Sequence, residues 1–225
     1  MEIVNDSELR HPVSDATEDA AGREAVAVIH GLGSNRLFMS PLVWRIRGAG
    51  FNAVNFGYAS FFKSISEHAD SFGQVLDKLD QDPRFDRWHI VAHSLGSIVT
   101  RHLLSQQDWS RLGRVLLLAP PNLGSPAATR LSRLLPLSQT VRQISHRPES
   151  FVNQLSPAKP LDHVQFGVIS ASYDFVVSAE SSRLPFEHQH LTVFSGHNGL
   201  LVRKRAAEET IHFLRHGRFT VSEIE

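Results

Sequence analysis

The stretch Ala92-His93-Ser94-Leu95-Gly96 carries the strongest chemical signal in the sequence. An apolar run, WHIVAH (88–93), leads into it, and a stretch with Leu95, Ile98, Val99 and Leu103 leaves it with almost no loop between. A strand that turns directly into a helix forces a tight elbow, whose apex side chain stands over a helix N-terminus. Small residues at 92 and 96 keep the neighbouring backbone clear. A hydroxyl at such an apex, exposed and beside unpaired backbone N–H groups, meets the needs of an acyl-transfer nucleophile. The pentapeptide alone is a weak pattern; its place between a strand and a helix gives it weight. The competing reading is a serine that only caps the helix.

A serine nucleophile needs a base, and the base needs a carboxylate to orient it. Two later apolar runs end in suitable residues: VQFGVIS (164–170) leads to Asp174, and HLTVF (190–194) leads to His197 in the Gly-flanked loop Ser195-Gly196-His197-Asn198-Gly199. The chain order is then nucleophile Ser94, acid Asp174, base His197, with Glu180 as the reserve acid. His197 is one of 13 histidines, so its position rather than its type carries the inference. The bland alternatives are a helix-entry residue at 197 and a turn-former at 174. After the first apolar run, His30-Gly31-Leu32-Gly33 can turn main-chain N–H groups toward the nucleophile. The expected oxyanion donors are the N–H groups of Leu32 and of Leu95. The same loop lacks both the dinucleotide fingerprint and a Lys-Ser/Thr ending, which disfavours nucleotide binding. His30 is expected to pack and hydrogen-bond within the loop, and His93 to support the nucleophile. His188 and His190 alternate on an extended segment without a third ligand and read as a solvent-facing strand entry, not a metal site.

These residues need a scaffold that brings strand ends to one edge. Apolar runs at 25–30, 51–56, 88–93, 114–120, 164–170 and 190–194 read as six strands. Helical periodicity appears over 66–80, after Leu95, and over about 199–216, and a further helix is expected to open at Ser40-Pro41 and stop near Gly48. Continuously apolar strands separated by helices imply a parallel sheet covered on both faces. Residues 121–163 read as an excursion over the carboxyl edge, with two weakly helical stretches.

Composition bounds the rest. The chain has 225 residues, with 23 Lys+Arg against 23 Asp+Glu, and no cysteine. Zero net charge disfavours a nucleic-acid binder, and the lack of Cys excludes disulfides and a cysteine nucleophile. No apolar run reaches the ~18 residues of a membrane span, and the polar start does not read as a signal peptide, so a soluble cytoplasmic protein is expected. The expected organisation is a polar acidic tail over 1–24, a catalytic domain over 25–218 and a short tail over 219–225. The first tail holds seven acidic residues against two arginines; residues 101–147 hold seven arginines against Asp108. The basic stretch reads as a solvated face or a dock for the acidic tail, with peripheral contact to anionic lipid as the alternative.

HGLGS (30–34), AHSLG (92–96), APPNLGSPAA (119–128), SYDFVVS (172–178) and SGHNGLL (195–201) together resemble the serine esterases of the α/β-hydrolase superfamily, in particular its lipase-like and PGAP1-like bacterial branch. The resemblance spans about residues 25–218. Ala92 departs from the commoner Gly at the first elbow position. The resemblance implies a minimal α/β-hydrolase fold: about six mostly parallel strands, helices on both faces and a short cap excursion. It implies hydrolysis of carboxylic esters, small-molecule or lipid, through an acyl-enzyme on Ser94, Asp174 and His197, with Leu32 and Leu95 as oxyanion donors and no cofactor. Phe61, Phe62, Leu123 and Leu135, with Leu134, Leu137 and Phe151, are the candidates for an acyl pocket. An acyltransferase using the same triad, and a non-catalytic binding module on the same scaffold, are the competing readings. Acyl chain length and oligomeric state are not legible.

Overall fold

A computed structural model of the protein describes residues 23–155 and 161–220. Six strands, β1 (Glu24–Ile29), β2 (Asn52–Phe56), β3 (Arg87–His93), β4 (Leu112–Leu118), β5 (Gln165–Ala171) and β6 (Gln189–Val193), form one sheet in the order β2-β1-β3-β4-β5-β6. Every pairing is parallel. The helices are α1 (Arg36–Gly48), α2 (Ile65–Gln81), α3 (Leu95–Gln106), α4 (Pro126–Leu134), α5 (Gln139–Gln143), α6 (Phe151–Gln154), α7 (Ala179–Ser182) and α8 (Lys204–His216). This is the α/β-hydrolase architecture.

Alternate strand residues serve opposite faces, and over the four central strands both faces are dry. Ala27, Ile29, Ile90, Ala92 and Leu117 pack beneath α2 and α3, which contribute Phe72, Leu76 and Ile98. Val26, Val28, Val91, Leu116 and Leu118 meet Met39, Leu42 and Ile46 of α1 and Phe213 and Leu214 of α8. The four central strands must therefore be apolar on both sides, which is why their runs in the sequence do not alternate. The edge strands β2 and β6, by contrast, carry exposed and half-buried residues. The chain leaves β1 toward β2 and returns on the other side of β1 as β3. The loops after β1 and β3 thus diverge at a switch point, where open α/β sheets form their crevice.

Two element boundaries differ from expectation. Helix α1 starts at Arg36, not at Ser40-Pro41, because the Asn35 side chain accepts the N–H groups of Leu37 and Phe38 at 2.8 and 3.4 Å. Pro41 then lies inside the helix, and Ser40 Oγ donates to the Arg36 carbonyl at 2.9 Å. The last helical stretch is broken into a 3-10 turn, Asn198–Leu201, and α8. The turn drives Leu200 and Leu201 into the core on the α1 and α8 side before the chain changes direction at Arg203, whose backbone is extended.

The excursion after β4 is stitched to the loop after β2. Ser138 Oγ donates to the Phe61 carbonyl at 3.0 Å, Thr140 Oγ1 donates to the Lys63 carbonyl, and Ile65 N–H donates to Gln143 Oε1 at 2.8 Å. The arginines of 101–147 do not form one basic face. Arg101 is buried, Arg111 donates to the carbonyls of Asp80, Asp82 and Phe85, and Arg114 donates to the Leu214 carbonyl. Arg130, Arg133, Arg142 and Arg147 remain exposed. Most of the expected acidic tail lies outside the described residues, but Glu24 already belongs to β1, and Phe219 is buried against Phe213. Among the described residues no helix is long and apolar enough to cross a membrane.

Candidate active site

β3 ends at His93 and α3 begins at Leu95, so Ser94 alone makes the turn. Its backbone sits at φ 51° and ψ −120°, a positive-φ conformation that side-chain-bearing residues adopt at a cost of order 1–3 kcal/mol. Neighbouring contacts hold it there: Ser94 N–H donates to the Leu118 carbonyl, and Ser97 N–H donates to the Ser94 carbonyl, both at 2.9 Å. Two glycines make room. A Cβ on Gly96 would lie 2.8 Å from the His30 carbonyl oxygen, and one on Gly31 would lie 2.8 Å from Ser94 Cβ. The elbow therefore fits only if both the β1 loop and the first turn of α3 lack side chains at these points.

Asp174 and His197 arrive from β5 and β6, two and three strands along the sheet from β1's neighbour β3. Asp174 Oδ2 accepts from His197 Nδ1 at 2.7 Å, and His197 Nε2 lies 2.9 Å from Ser94 Oγ. The carboxylate can only accept, so the ring proton sits on Nδ1, and Nε2 is left to accept the serine hydroxyl. Asp174 Oδ1 is held by the N–H groups of Val176 and Val177 at 2.8 and 2.9 Å. Burial raises the Asp174 pKa, but the His197 hydrogen bond and charge, with the Val177 and Val176 N–H groups, outweigh it and hold the carboxyl below its ordinary value. The arrangement can draw a proton from the hydroxyl onto an imidazole while a fixed anion stabilises the resulting cation. Glu180, the reserve acid, sits in α7 away from this chain of bonds, since His197 Nδ1 is taken by Asp174.

The Ser94 hydroxyl is less open than its apex position implies, because the His197 ring covers it and the residue is only 7% exposed. The N–H groups of Leu32 and Leu95 have no acceptor among the described residues. The neighbouring Gly33 N–H, by contrast, is fixed by Ser60 Oγ at 3.0 Å.

The two supporting histidines behave as packing and bonding groups. His30 Nε2 accepts the Tyr58 N–H at 3.3 Å and its Nδ1 donates to the Gly31 carbonyl at 2.8 Å. The rings of His30 and Tyr58 stack at 4.4 Å, and Tyr58 Oη donates to the His30 carbonyl at 2.8 Å. His93 Nε2 donates to the His197 carbonyl at 3.3 Å, and burial, with the nearby His197, lowers its pKa to about 3. His93 thus stays neutral beside the His197 ring. His190, read as solvent-facing, is instead half-buried with Nε2 2.9 Å from Ser170 Oγ.

Phe61, Phe62 and Leu135 border one cavity of about 480 Å³, together with Leu134 and Leu137. It adjoins the β1 loop: a Cβ on Gly33 would lie 3.2 Å from the Phe61 ring. Leu123 does not join them; it lines a separate cavity of about 400 Å³. Sequence reasoning missed Tyr58, Ser60 and the paired N–H groups of Val176 and Val177. A polar residue spaced after an apolar run was the only signal for the first two, and backbone donors leave no mark in side-chain types.

A family model described as serine hydrolase matches residues 74–200, a span that contains Ser94, Asp174 and His197. The chain belongs to the serine hydrolase family. No curated protein matches it. Among solved structures it is similar in fold to the phospholipase PlaB from Legionella pneumophila, with a TM-score of 0.67 at 14% identity over 85% of this chain and 57% of the other. Lipase B of Aspergillus fumigatus gives a TM-score of 0.71 at 14% identity, over 94% of this chain and 60% of the other. The mature lipase BlEst2 of Bacillus licheniformis gives 0.64 at 15% identity, over 92% and 94% of the two chains. The chain thus spans little more than half the length of the first two proteins.

Proposed function

We propose that this serine hydrolase cleaves carboxylic esters through an acyl-enzyme formed on Ser94, with His197 as base and Asp174 as its orienting acid. The observation that carries this reading is the unbroken bond chain from Asp174 Oδ2 through His197 to Ser94 Oγ, at 2.7 and 2.9 Å. Ser94 Oγ attacks the ester carbonyl carbon as its proton passes to His197 Nε2. The carbonyl oxygen becomes an oxyanion that takes hydrogen bonds from the Leu32 and Leu95 N–H groups, which have no competing acceptor among the described residues. His197 then protonates the leaving alkoxide oxygen, the carbon–oxygen bond breaks, and the acyl group stays on Ser94. Water repeats the sequence and releases the acid. The apolar cavity of Phe61, Phe62, Leu134, Leu135 and Leu137 receives the acyl chain in this reading.

The test is turnover of p-nitrophenyl esters by the wild type, Ser94→Ala and Asp174→Asn, with a fluorophosphonate probe as a second readout. Ser94→Ala should abolish both turnover and labelling while keeping the thermal midpoint. Asp174→Asn should lower kcat by ~10³–10⁴-fold, because the amide presents the imidazole in the wrong tautomer. Undiminished turnover by Ser94→Ala would refute the proposal.

A further inference from the structure

Arg101 is buried to 4% exposure in the middle of α3, and no carboxylate lies within ion-pair reach of it among the described residues. One guanidinium nitrogen, Nη1, donates to Asn122 Oδ1 at 2.9 Å and to the Asn122 carbonyl at 3.4 Å. Among the described residues the Nε–H has no acceptor and Nη2 makes no hydrogen bond. Burying a charge without a counter-charge costs several kcal/mol unless something supplies one. Burial pushes the Arg101 pKa down to about 10, so the group still carries its charge at neutral pH.

The same residue lines the cavity of about 400 Å³ named above, whose walls are otherwise largely apolar: Leu123, Val152, Leu155 and Leu184. Glu180 and Arg183, one of each sign, also line it, with Asn122, Asn153 and Pro185. A space of this size, mostly apolar with a few charged groups of which only Arg101 is buried, has the composition of a small-molecule site. With Nη1 engaged by Asn122 and Nε buried, Nη2 is the guanidinium donor left without an acceptor among the described residues, and a charged N–H of this kind favours an oxyanion as its partner.

We propose that this cavity is a second binding site, distinct from the Ser94 centre, that takes an anionic amphiphile. Its carboxylate or phosphate head pairs with Arg101, and its medium-length alkyl chain lies along Leu123, Val152, Leu155 and Leu184. The site does not depend on the ester-hydrolase reading: it shares no lining residue with the Phe61–Leu137 cavity, and binding there requires no turnover.

Isothermal titration of the full-length Ser94→Ala protein with decanoate, decyl phosphate and decanol tests it, since that variant leaves Arg101 and the cavity intact. At least one of the two anions should bind tenfold or more tighter than decanol, and the tighter one identifies the headgroup. Leu184→Trp, which fills the cavity, should remove that binding with the far-UV circular dichroism unchanged, and Leu123→Trp, at a residue 47% exposed, should do the same at an unchanged thermal midpoint. Arg101→Lys, which keeps the charge but loses the planar fork, should weaken it about tenfold. Equal binding of decanol and the anions, no binding of either anion, or anion binding that survives Leu184→Trp would each overturn the proposal. Loss of ester turnover in Ser94→Ala with retained anion binding leaves the two proposals separately judged.

Discussion

Ser125 Oγ donates to the carbonyl oxygen of Val176 at 2.7 Å, and the N–H of the same Val176 donates to Asp174 Oδ1 at 2.8 Å. The loop after β4 therefore grips the loop that carries the acid, one peptide unit from the carboxylate. Ser125 also accepts the Ala128 N–H at 3.1 Å and caps α4, the helix that ends at the apolar cavity. One hydroxyl thus links the proposed acyl-binding helix to the proposed acid. Ser125→Ala should cost about 1 kcal/mol through the lost cap. It should also lower kcat several-fold with KM unchanged, because Asp174 loses its brace. Ser125→Thr keeps both bonds and should restore kcat. A purely structural role would shift the thermal midpoint of the alanine variant while leaving kcat at the wild-type value.

Gly31→Ala places a Cβ 2.8 Å from Ser94 Cβ and 3.2 Å from His93 Nδ1, inside van der Waals contact with both. The serine or the β1 loop must shift, and displacements approaching 1 Å at a reacting atom cost on the order of 100-fold. Ester turnover and fluorophosphonate labelling should fall together by about that factor, with the far-UV circular dichroism unchanged.

His93 makes stability depend on acid. The unfolded side chain takes up a proton below its ordinary value of 6.5, whereas the folded one does so only near 3, because burial excludes the charge. Between those limits the unfolded state binds more protons, so stability falls as pH falls, by up to about 1.4 kcal/mol per pH unit from this group. His93→Asn keeps a donor for the His197 carbonyl and does not titrate. Urea unfolding of both proteins at pH 7, 6, 5 and 4 should show a shallower decline for the variant.

The cavity beside the β1 loop predicts a chain-length preference. Phe62 and Leu137 are 86% and 93% exposed, so neither holds the core together. Phe62→Ser and Leu137→Ser should lower kcat/KM for p-nitrophenyl decanoate about tenfold, in line with the loss of one to two apolar contacts. Turnover of p-nitrophenyl acetate should stay the same, and so should the melting temperature. Equal losses on both esters would move the acyl chain elsewhere.

Much of the sheet was legible because its four central strands are buried on both faces, which imposes unbroken apolar runs such as AVAVI and RVLLLAP. The elbow was legible for the same reason: an apolar strand running straight into a helix leaves one residue to turn. Helix α1 was misplaced because its start depends on which of two polar residues, Asn35 or Ser40, meets the free N–H groups. The 3-10 turn before α8 escaped notice because its apolar residues fit helical periodicity equally well. The basic stretch shrank on folding because charge counts ignore where a side chain ends; three of its seven arginines bond to main-chain oxygens, Arg101 among them at Asn122, and the other four stay exposed.

By itself the sequence determined which residue types stand at the ends of successive strands, since periodicity and turn chemistry are local properties of a few adjacent residues. Only the tertiary structure decided that residues 94, 174 and 197 meet within hydrogen-bond distance, that Leu123 parts from Phe61 and Phe62, and that Arg101 is buried without an acid beside it. Such meetings depend on strand order and on the packing of side chains far apart in the chain, neither of which leaves a mark on any short stretch of residues.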